Sequence, residues 1–468
     1  MTGAAARLAT PPTGLGLFTD LYELSMLQAY HAEGMHDTAV FTLFVRRQPP
    51  RRNYLLACGL DTLLQQLEDL RFTREDLDYL ASLGRFGDGF LRWLEDFRFS
   101  GTIRAVREGT PVFANEPILE VIAPLPQGQL IETLVMNQIH LQTVQASKAA
   151  RLVTAAAGAA VVDFGARRMH GIDAAIKGAR AFHIAGVAST SNVLAGRLYG
   201  VPVSGTMAHS YIQAHADEAS AFAAYARLYP DSVLLVDTYD TLEGVRRVIA
   251  LARQLGDAFR VRAIRLDSGD LAGLAREARR LLDNAGLGQV QIFASSGLDE
   301  DAIAGLVHAG APIDAFGVGT SMGISTDVPD LDIAYKLAEY AGRGRLKLSS
   351  GKPILPGRKQ VFRRSDGGVL TGDVIGRAGE PLSGEPLLHP VMREGRRLPE
   401  HETDLDHLRR NTHTRVRQLP RSIRALEPAA DPYPVAVSPA LRDFQAAVTR
   451  EVRAQSEAAT GDHQGHAG

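Results

Sequence analysis

The chain has 468 residues, 45% hydrophobic and 22% charged, a globular composition long enough for a large core and more than one domain. Lys+Arg number 51 and Asp+Glu 53, a net charge of -2 that argues against nucleic acid as the main partner. Cys58 is the only cysteine, which excludes an intrachain disulfide and a Cys-rich metal site and fits a reducing, cytoplasmic setting. Residues 1–14 lack the apolar core of a signal peptide, and no apolar run approaches the roughly 18–20 residues of a membrane span, so no membrane partner is expected.

In chain order, residues 1–16 read as a disordered tail and 17–128 as an α+β domain. A helix is expected over 17–30, capped by Thr19 or Asp20, then strands over 40–46 and 54–59. Helices follow over 60–70 and, with breaks, over 74–97; strands return over 101–106 and 111–123. Residues 129–157, rich in Ala, Leu and Gln, read as a core helix. The pattern then becomes regular. Short apolar strands are expected at 160–164, 186–188, 201–203, 232–237, 261–266, 290–294 and 314–318, with helical segments between them. One strand and one helix in roughly 25–30 residues means parallel strands joined by crossover helices. The fold class is therefore α/β: an irregular, TIM-like β/α barrel of about seven strands over 129–348, with a doubly wound sheet as the alternative. Residues 335–340 are expected to be helical, with a strand to 348. Segments at 353–364 and 368–376 read as β, 377–424 shows no clear period, and 439–453 reads as an amphipathic helix. This C-terminal segment, 349–453, is expected to pack on the N-terminal domain, and 454–468 to be a disordered tail.

In such barrels the chemistry sits at the C-terminal strand ends, and polar residues collect there. Asp163-Phe164-Gly165 with Arg167 and Arg168 ends the first strand; the arginines suit phosphate or carboxylate, and Phe164 suits a flat ring. The alternative for the Arg pair is a solvated loop. Gly205, Thr206 and His209 end the third strand. Gly205 can adopt φ > 0, Thr206 offers an N–H and a hydroxyl, and an imidazole beside small residues can serve as acid, base or nucleophile. A hydrogen-bonded structural histidine is the alternative. Asp237 and Asp240 end the fourth strand; Arg265, Asp267 and Asp270 end the fifth. Asp267 or Asp270 can hold ribose hydroxyls or Mg2+, with a structural salt bridge as the alternative, and Asp237 and Asp240 are similar oxygen donors. Ser296 and Gly297, then Gly317, Gly319 and Thr320, form small-residue turns where backbone N–H groups can approach a phosphate. Tyr22, on the first helix, reads on its own as a partly buried core tyrosine.

The ordered set Thr19-Asp20-Leu21-Tyr22-Glu23-Leu24, Asp163-Phe164-Gly165-Ala166-Arg167-Arg168, Thr190-Ser191-Asn192-Val193, Gly205-Thr206-Met207-Ala208-His209-Ser210, Val236-Asp237-Thr238-Tyr239-Asp240, Arg265-Leu266-Asp267-Ser268-Gly269-Asp270, Phe316-Gly317-Val318-Gly319-Thr320 and Tyr335-Lys336-Leu337 resembles nicotinate phosphoribosyltransferases. The resemblance implies transfer of the phosphoribosyl group of PRPP to nicotinate, with Mg2+ and coupled ATP hydrolysis through a phosphohistidine at His209. It places Tyr22, Thr206 and Arg265 at nicotinate with Phe164 stacked on its ring, and Thr320 at PRPP; with the residue reading above, Arg167 joins the nicotinate set and Arg168, Ser296, Gly297, Gly317 and Gly319 the PRPP set. It gives Arg265 and Asp267 catalytic roles. It also implies an α+β domain beside an irregular barrel, and a cytoplasmic homodimer with a shared site to which Tyr22 is donated. The chain departs from the family pattern at Ala188-Ser189 and Ser295-Ser296; the lack of an acid at 188 or 189 favours a carboxylate over an amide substrate. The competing readings are a nicotinamide or quinolinate phosphoribosyltransferase and a non-catalytic nucleotide-binding barrel.

Overall fold

A computed structural model describes residues 14–348, 354–399 and 404–462, with side chains through Ser456. The chain divides into two compact units, Met1–Thr143 with Asp330–Gly468, and Val144–Pro329. The first unit thus runs past the expected boundary at 128 and takes up the chain again at 330 rather than 349.

The reason for the second shift is Ile333–Tyr340, read from sequence as a helix from Tyr335 and found as a strand. Ala334, Tyr335 and Ala338 are all buried, and their spacing mimics a helical face. The partner decides otherwise. Thr38–Val45 is β-branched and aromatic, buried along nearly its whole length, and pairs antiparallel with this segment, Leu43 opposite Tyr335. The Tyr335 ring stacks on Phe41 at 4.9 Å and its hydroxyl donates to the Gly128 carbonyl at 2.7 Å. Gly128 is needed there, because a Cβ would fall 2.7 Å from the Phe41 ring.

These strands lie in a seven-stranded sheet ordered Arg343–Gly344, Ile333–Tyr340, Thr38–Val45, Pro117–Pro124, Thr102–Ala105, His389–Arg393 and Arg396–Arg397. The pairing of His389–Arg393 with Thr102–Ala105 stitches the C-terminal segment to the N-terminal strands. A second sheet of four strands contains the expected β pair, found at Lys359–Asp366 and Val369–Arg377. The aperiodic stretch after 377 holds the helix Leu405–Gln418, capped by Asp404. The last helix, Pro439–Asp462, continues past 453 into the expected tail. At the other end Gly16 donates to the Arg71 carbonyl at 3.2 Å, so that tail is ordered from there. Residues 1–13 and 463–468 lie outside the described residues.

The second unit holds a six-stranded parallel sheet ordered Ser189–Thr190, Ala160–Asp163, Ala315–Val318, Gln291–Ala294, Ala263–Leu266 and Val233–Leu235. The first and last strands of this sheet in chain order, Ala160–Asp163 and Ala315–Val318, pair in register, so the sheet curls round as a barrel does. It does not close. The expected third strand, 201–203, contributes only the bridge of Val203 to Thr190, and among the described residues no ladder joins it to Val233–Leu235. Pro202 has no N–H to extend a ladder; its carbonyl accepts from Thr190 N at 2.9 Å, and Val203 is 50% exposed. The architecture is a curled half-barrel of six strands, not a barrel of seven.

Helices Thr241–Leu255 and Leu271–Asn284 cover the sheet, packing Val245, Val248 and Leu282 against Leu234, Ile264 and Ile292. Part of the polarity at the strand ends belongs to the helices that follow them. Asn192, Asp240, Asp270 and Asp299 are N-caps, accepting from Ala195, Glu243, Gly273 and Ala302 N at 3.1, 2.8, 3.1 and 2.9 Å. Each such cap contributes about 1 kcal/mol. Asp240 and Asp270, read as oxygen donors to a ligand, are committed to this role.

Candidate active site

A cavity of about 1070 Å3 opens at the C-terminal ends of the parallel strands. Its lining includes Phe164, Arg167, Arg168, Thr206, Arg265, Asp267, Ser296, Gly297, Gly317, Gly319 and Thr320.

Phe164 leaves the strand Ala160–Asp163 held by the carboxyl before it. Asp163 accepts from Gly165 N at 2.7 Å and from the Thr190 hydroxyl at 2.6 Å, tying two neighbouring strand ends together. Burial raises the Asp163 carboxyl above its usual range, against the pull of those two bonds. The Phe164 ring lies on the backbone of Gly317, where a Cβ would fall 2.7 Å from it, and beside Phe293 at 5.7 Å. The bare backbone at Gly317 therefore makes room for an aromatic floor. Arg167 and Arg168 follow in a short 3-10 turn, both exposed, with no carboxylate paired to them among the described residues.

Arg265 and Asp267, two residues apart at the end of the strand Ala263–Leu266, come together, Nη2 to Oδ1 at 3.5 Å. Arg265 also donates to the Thr206 hydroxyl and, at 3.3 Å, to the Met207 carbonyl. Burial lowers the pKa of its guanidinium, opposed by the charges of Asp267 and Asp237. Asp267 in turn accepts from the Ser295 hydroxyl at 2.5 Å. Asp237 accepts from Asp267 N at 2.9 Å and from the Ser268 hydroxyl at 2.7 Å, while its Oδ1 is buried without a partner.

His209 opens the short helix His209–Gln213. Its Nδ1 meets the Thr238 hydroxyl at 3.1 Å and its Nε2 stands 3.6 Å from Asp267 Oδ2. The side chain is 39% exposed, so a ligand can reach it. Gly205 beside it does not use the left-handed region. Ser296, at φ 91°, and Gly297, at φ 59°, do. Two consecutive positive φ angles expose the backbone of that turn to the cavity, an arrangement suited to an anion.

Tyr22 is not part of this lining. It lies in the other compact unit, 51% exposed on the helix Leu21–Ala32, with its phenol pKa raised by burial and by its hydrogen bond to Glu23. Among the described residues no group of three or more His, Cys, Asp or Glu could hold a metal, and no helix is long and apolar enough to cross a membrane.

The nicotinate phosphoribosyltransferase N-terminal domain matches residues 17–140, the family's central region 159–363 and its C-terminal domain 376–445. The chain is 57% identical over 422 residues to the nicotinate phosphoribosyltransferase pncB2 of Mycobacterium tuberculosis, covering 90% of this chain and 91% of that one. The chain belongs to the nicotinate phosphoribosyltransferase family. The Bacillus subtilis nicotinate phosphoribosyltransferase is 42% identical over 390 residues, 81% of this chain and 80% of its own. The crystal structure of human nicotinic acid phosphoribosyltransferase superposes with a TM-score of 0.83 at 29% identity, covering 92% of this chain and 100% of that one. A nicotinate-nucleotide pyrophosphorylase from Pyrococcus furiosus, 24% identical, shares the fold with a TM-score of 0.70 over 86% of this chain and 96% of its own.

Residues of the motifs at 163–168, 205–208, 265–267 and 317–320 thus line one cavity, His209 stands beside it against Asp267, and Tyr22 and Tyr335 belong to the other unit. The structure adds partners that sequence reasoning left without a role. Thr238 holds the His209 ring, Asp163 braces Phe164, and the Ser189 and Ser204 hydroxyls meet at 2.5 Å. Asp163 carried a readable signal, a strand-terminal Asp two residues before a Gly, which is the spacing of a side chain bonding the backbone ahead of it. Thr238 and the serine pair carried none, because each contact crosses between strand ends.

Proposed function

We propose that the chain transfers the phosphoribosyl group of PRPP to the ring nitrogen of nicotinate, releasing pyrophosphate, and serves NAD synthesis. The supporting observation is the placement of Phe164, Arg265 and the Ser296–Gly297 turn around one cavity. A flat anion needs a ring to stack on and a planar cation for its carboxylate; Phe164 and the Arg265–Thr206 pair supply them. The ring nitrogen attacks the ribose carbon, and the bond to the pyrophosphate oxygen breaks with its electron pair leaving on pyrophosphate. Positive charge builds on the ribose during this step, and Asp267, on the cavity lining, offsets that charge. Arg167, Arg168 and the turns at Ser296–Gly297 and Gly317–Thr320 take the phosphate groups.

Mg2+ fits the donor set without a dedicated cage: it favours substrate phosphates plus one or two carboxylates, and the unpartnered Oδ1 of Asp237 with Asp267 would provide them. The metal would offset charge on the departing pyrophosphate. ATP is the co-substrate, and His209, reachable and oriented by Thr238, accepts its terminal phosphoryl. The added charge next to Thr206 and Arg265 orders the cavity around PRPP rather than performing the ribosyl chemistry. The enzyme works in the cytoplasm as a homodimer in which the exposed Tyr22 of one copy reaches the cavity of the other; a fully active monomer in sedimentation runs would end that part of the reading.

The test counts ADP and nicotinate mononucleotide in the same reaction. The parent chain makes mononucleotide from PRPP and nicotinate, faster with ATP. His209→Ala and His209→Asn keep a slow synthesis at high substrate and lose both nicotinate-dependent ATP hydrolysis and the response to ATP. ATP-stimulated synthesis persisting in His209→Ala would refute the phosphohistidine.

A further inference from the structure

The helix Glu132–Ala155 carries a polar row at Gln145, Lys148 and Arg151, three residues apart and so on one face. All three are buried, Lys148 to 1% exposure, in a stretch otherwise rich in alanine. Gln145 donates to the Gly323 carbonyl at 3.3 Å. Lys148 donates to Glu300 Oε2 at 2.5 Å and to Asp327 Oδ1 at 2.8 Å, and Arg151 to Glu300 Oε1 at 2.8 Å. Burial disfavours the Glu300 carboxylate, but the bonds from Arg151 and Lys148 outweigh it and hold that carboxyl below its usual range.

Each anchor borders a cavity turn. Glu300 opens the helix that follows residues 295–299, and Asp327 follows Thr326; the cavity lining runs through both places. Gly323 ends the short helix that begins at Thr320. The Ser321 hydroxyl donates to the Leu298 carbonyl, tying one turn to the other.

We propose that Lys148, with Gln145 and Arg151, is a positioning device that fixes these two turns against each other and so determines how tightly the cavity holds the phosphate groups of PRPP. The proposal rests on the reading of the turns as the phosphate site. A buried ammonium is costly unless paired, and apolar side chains of similar volume commonly replace such pairs without loss of stability, so stability alone does not account for the row. What the charges add is direction: one ammonium with two carboxylate partners, one beside each turn. Lys148 is too buried to touch a ligand, so its effect is on the geometry of the turns.

The test compares Lys148→Met, Lys148→Arg, Asp327→Asn and the apolar triple Lys148→Met/Arg151→Leu/Glu300→Met in the full chain, reading Tm and the KM of each substrate. Displaced turns should raise the KM for PRPP about tenfold or more in Lys148→Met and several-fold in Asp327→Asn, with the KM for nicotinate within about twofold of the parent. Lys148→Arg recovers part of the loss. The apolar triple regains Tm and keeps the high KM for PRPP. Should Lys148→Met not fold, Asp327→Asn carries the comparison, because that carboxyl is 19% exposed and its change leaves Lys148 paired with Glu300. The proposal is overturned by a parent-like KM for PRPP in the folded variants, by both KM values rising together, or by the triple restoring the KM for PRPP. A parent chain that forms no mononucleotide from PRPP and nicotinate overturns the reading beneath it instead.

Discussion

In the unit of antiparallel sheets, Arg363 pairs with Asp373 at 2.6 Å, with side chains 2% and 0% exposed. The Tyr433 hydroxyl donates to the same carboxylate at 3.0 Å, and Arg363 reaches the Pro111 carbonyl at 2.8 Å. Nearby in that unit, Arg104 and Lys359 close on the buried Glu120. In the parallel unit, Arg265, Asp267 and His209 form a comparable cluster, but Asp267 is 31% and His209 39% exposed, and the cluster borders a cavity. The same residue types serve opposite ends. The first cluster is sealed, so its charges hold strands and loops in register; the second is open, so its charges remain available to a substrate.

The largest expected effect breaks the sealed cluster. Asp373→Ala takes from the buried Arg363 guanidinium its paired carboxylate, which costs about 3–5 kcal/mol in urea denaturation. The folded fraction keeps its KM values; a change in substrate affinity would show that the sealed cluster also serves the reaction. Next, Arg265→Lys keeps the charge but loses the planar fork, and kcat/KM falls about 100-fold, equivalent to ~2.7 kcal/mol. Equal kcat/KM in the Lys variant would remove the paired contact from the mechanism. Phe164→Ala is milder. Losing a stacked ring worth ~0.5–1.5 kcal/mol beyond its area raises the KM for nicotinate a few-fold to about tenfold. An unchanged KM in a folded variant takes Phe164 out of the ring pocket.

The smallest effect sharpens the comparison through pH, because one buried acid in each unit shifts the opposite way. Burial, then the charge of Asp373, raises the Glu116 carboxyl well above its usual range. Its contribution is present below the unfolded carboxyl's value of about 4.3 and is lost as pH rises through the folded value. Glu300 is lowered, so its contribution is present above about pH 4.3 and is lost as pH falls through the folded value. In Tm–pH profiles, Glu116→Gln gains on the parent as pH rises, and the deficit of Glu300→Gln narrows as pH falls. A reversal of either slope would contradict the assigned environment.

The two units also differ in how much of them could be read in advance. The parallel unit repeats one local rule, an apolar strand followed by an amphipathic helix, and six of its seven expected strands appear, the second displaced to Ser189–Thr190. The exception at 201–203 fails at Pro202, a local feature whose consequence depends on what lies beside it. In the antiparallel unit, Ile333–Tyr340 looks helical in isolation and becomes a strand because Thr38–Val45, some 290 residues earlier by the register of Leu43 with Tyr335, supplies a ladder and a ring to stack on.

By itself the sequence determined the alternating α/β order of the central region, the small-residue turns after its strands, and the motifs that carry family membership. Those depend on short-range spacing and backbone freedom, which neighbouring residues dictate. The tertiary structure decided that the half-barrel stays open, that Gly317 makes room for Phe164, that Thr238 orients His209, and that Lys148 clamps Glu300 and Asp327. Each of these joins groups far apart along the chain, and burial and pairing acquire their energies only when folding brings such groups together and excludes water.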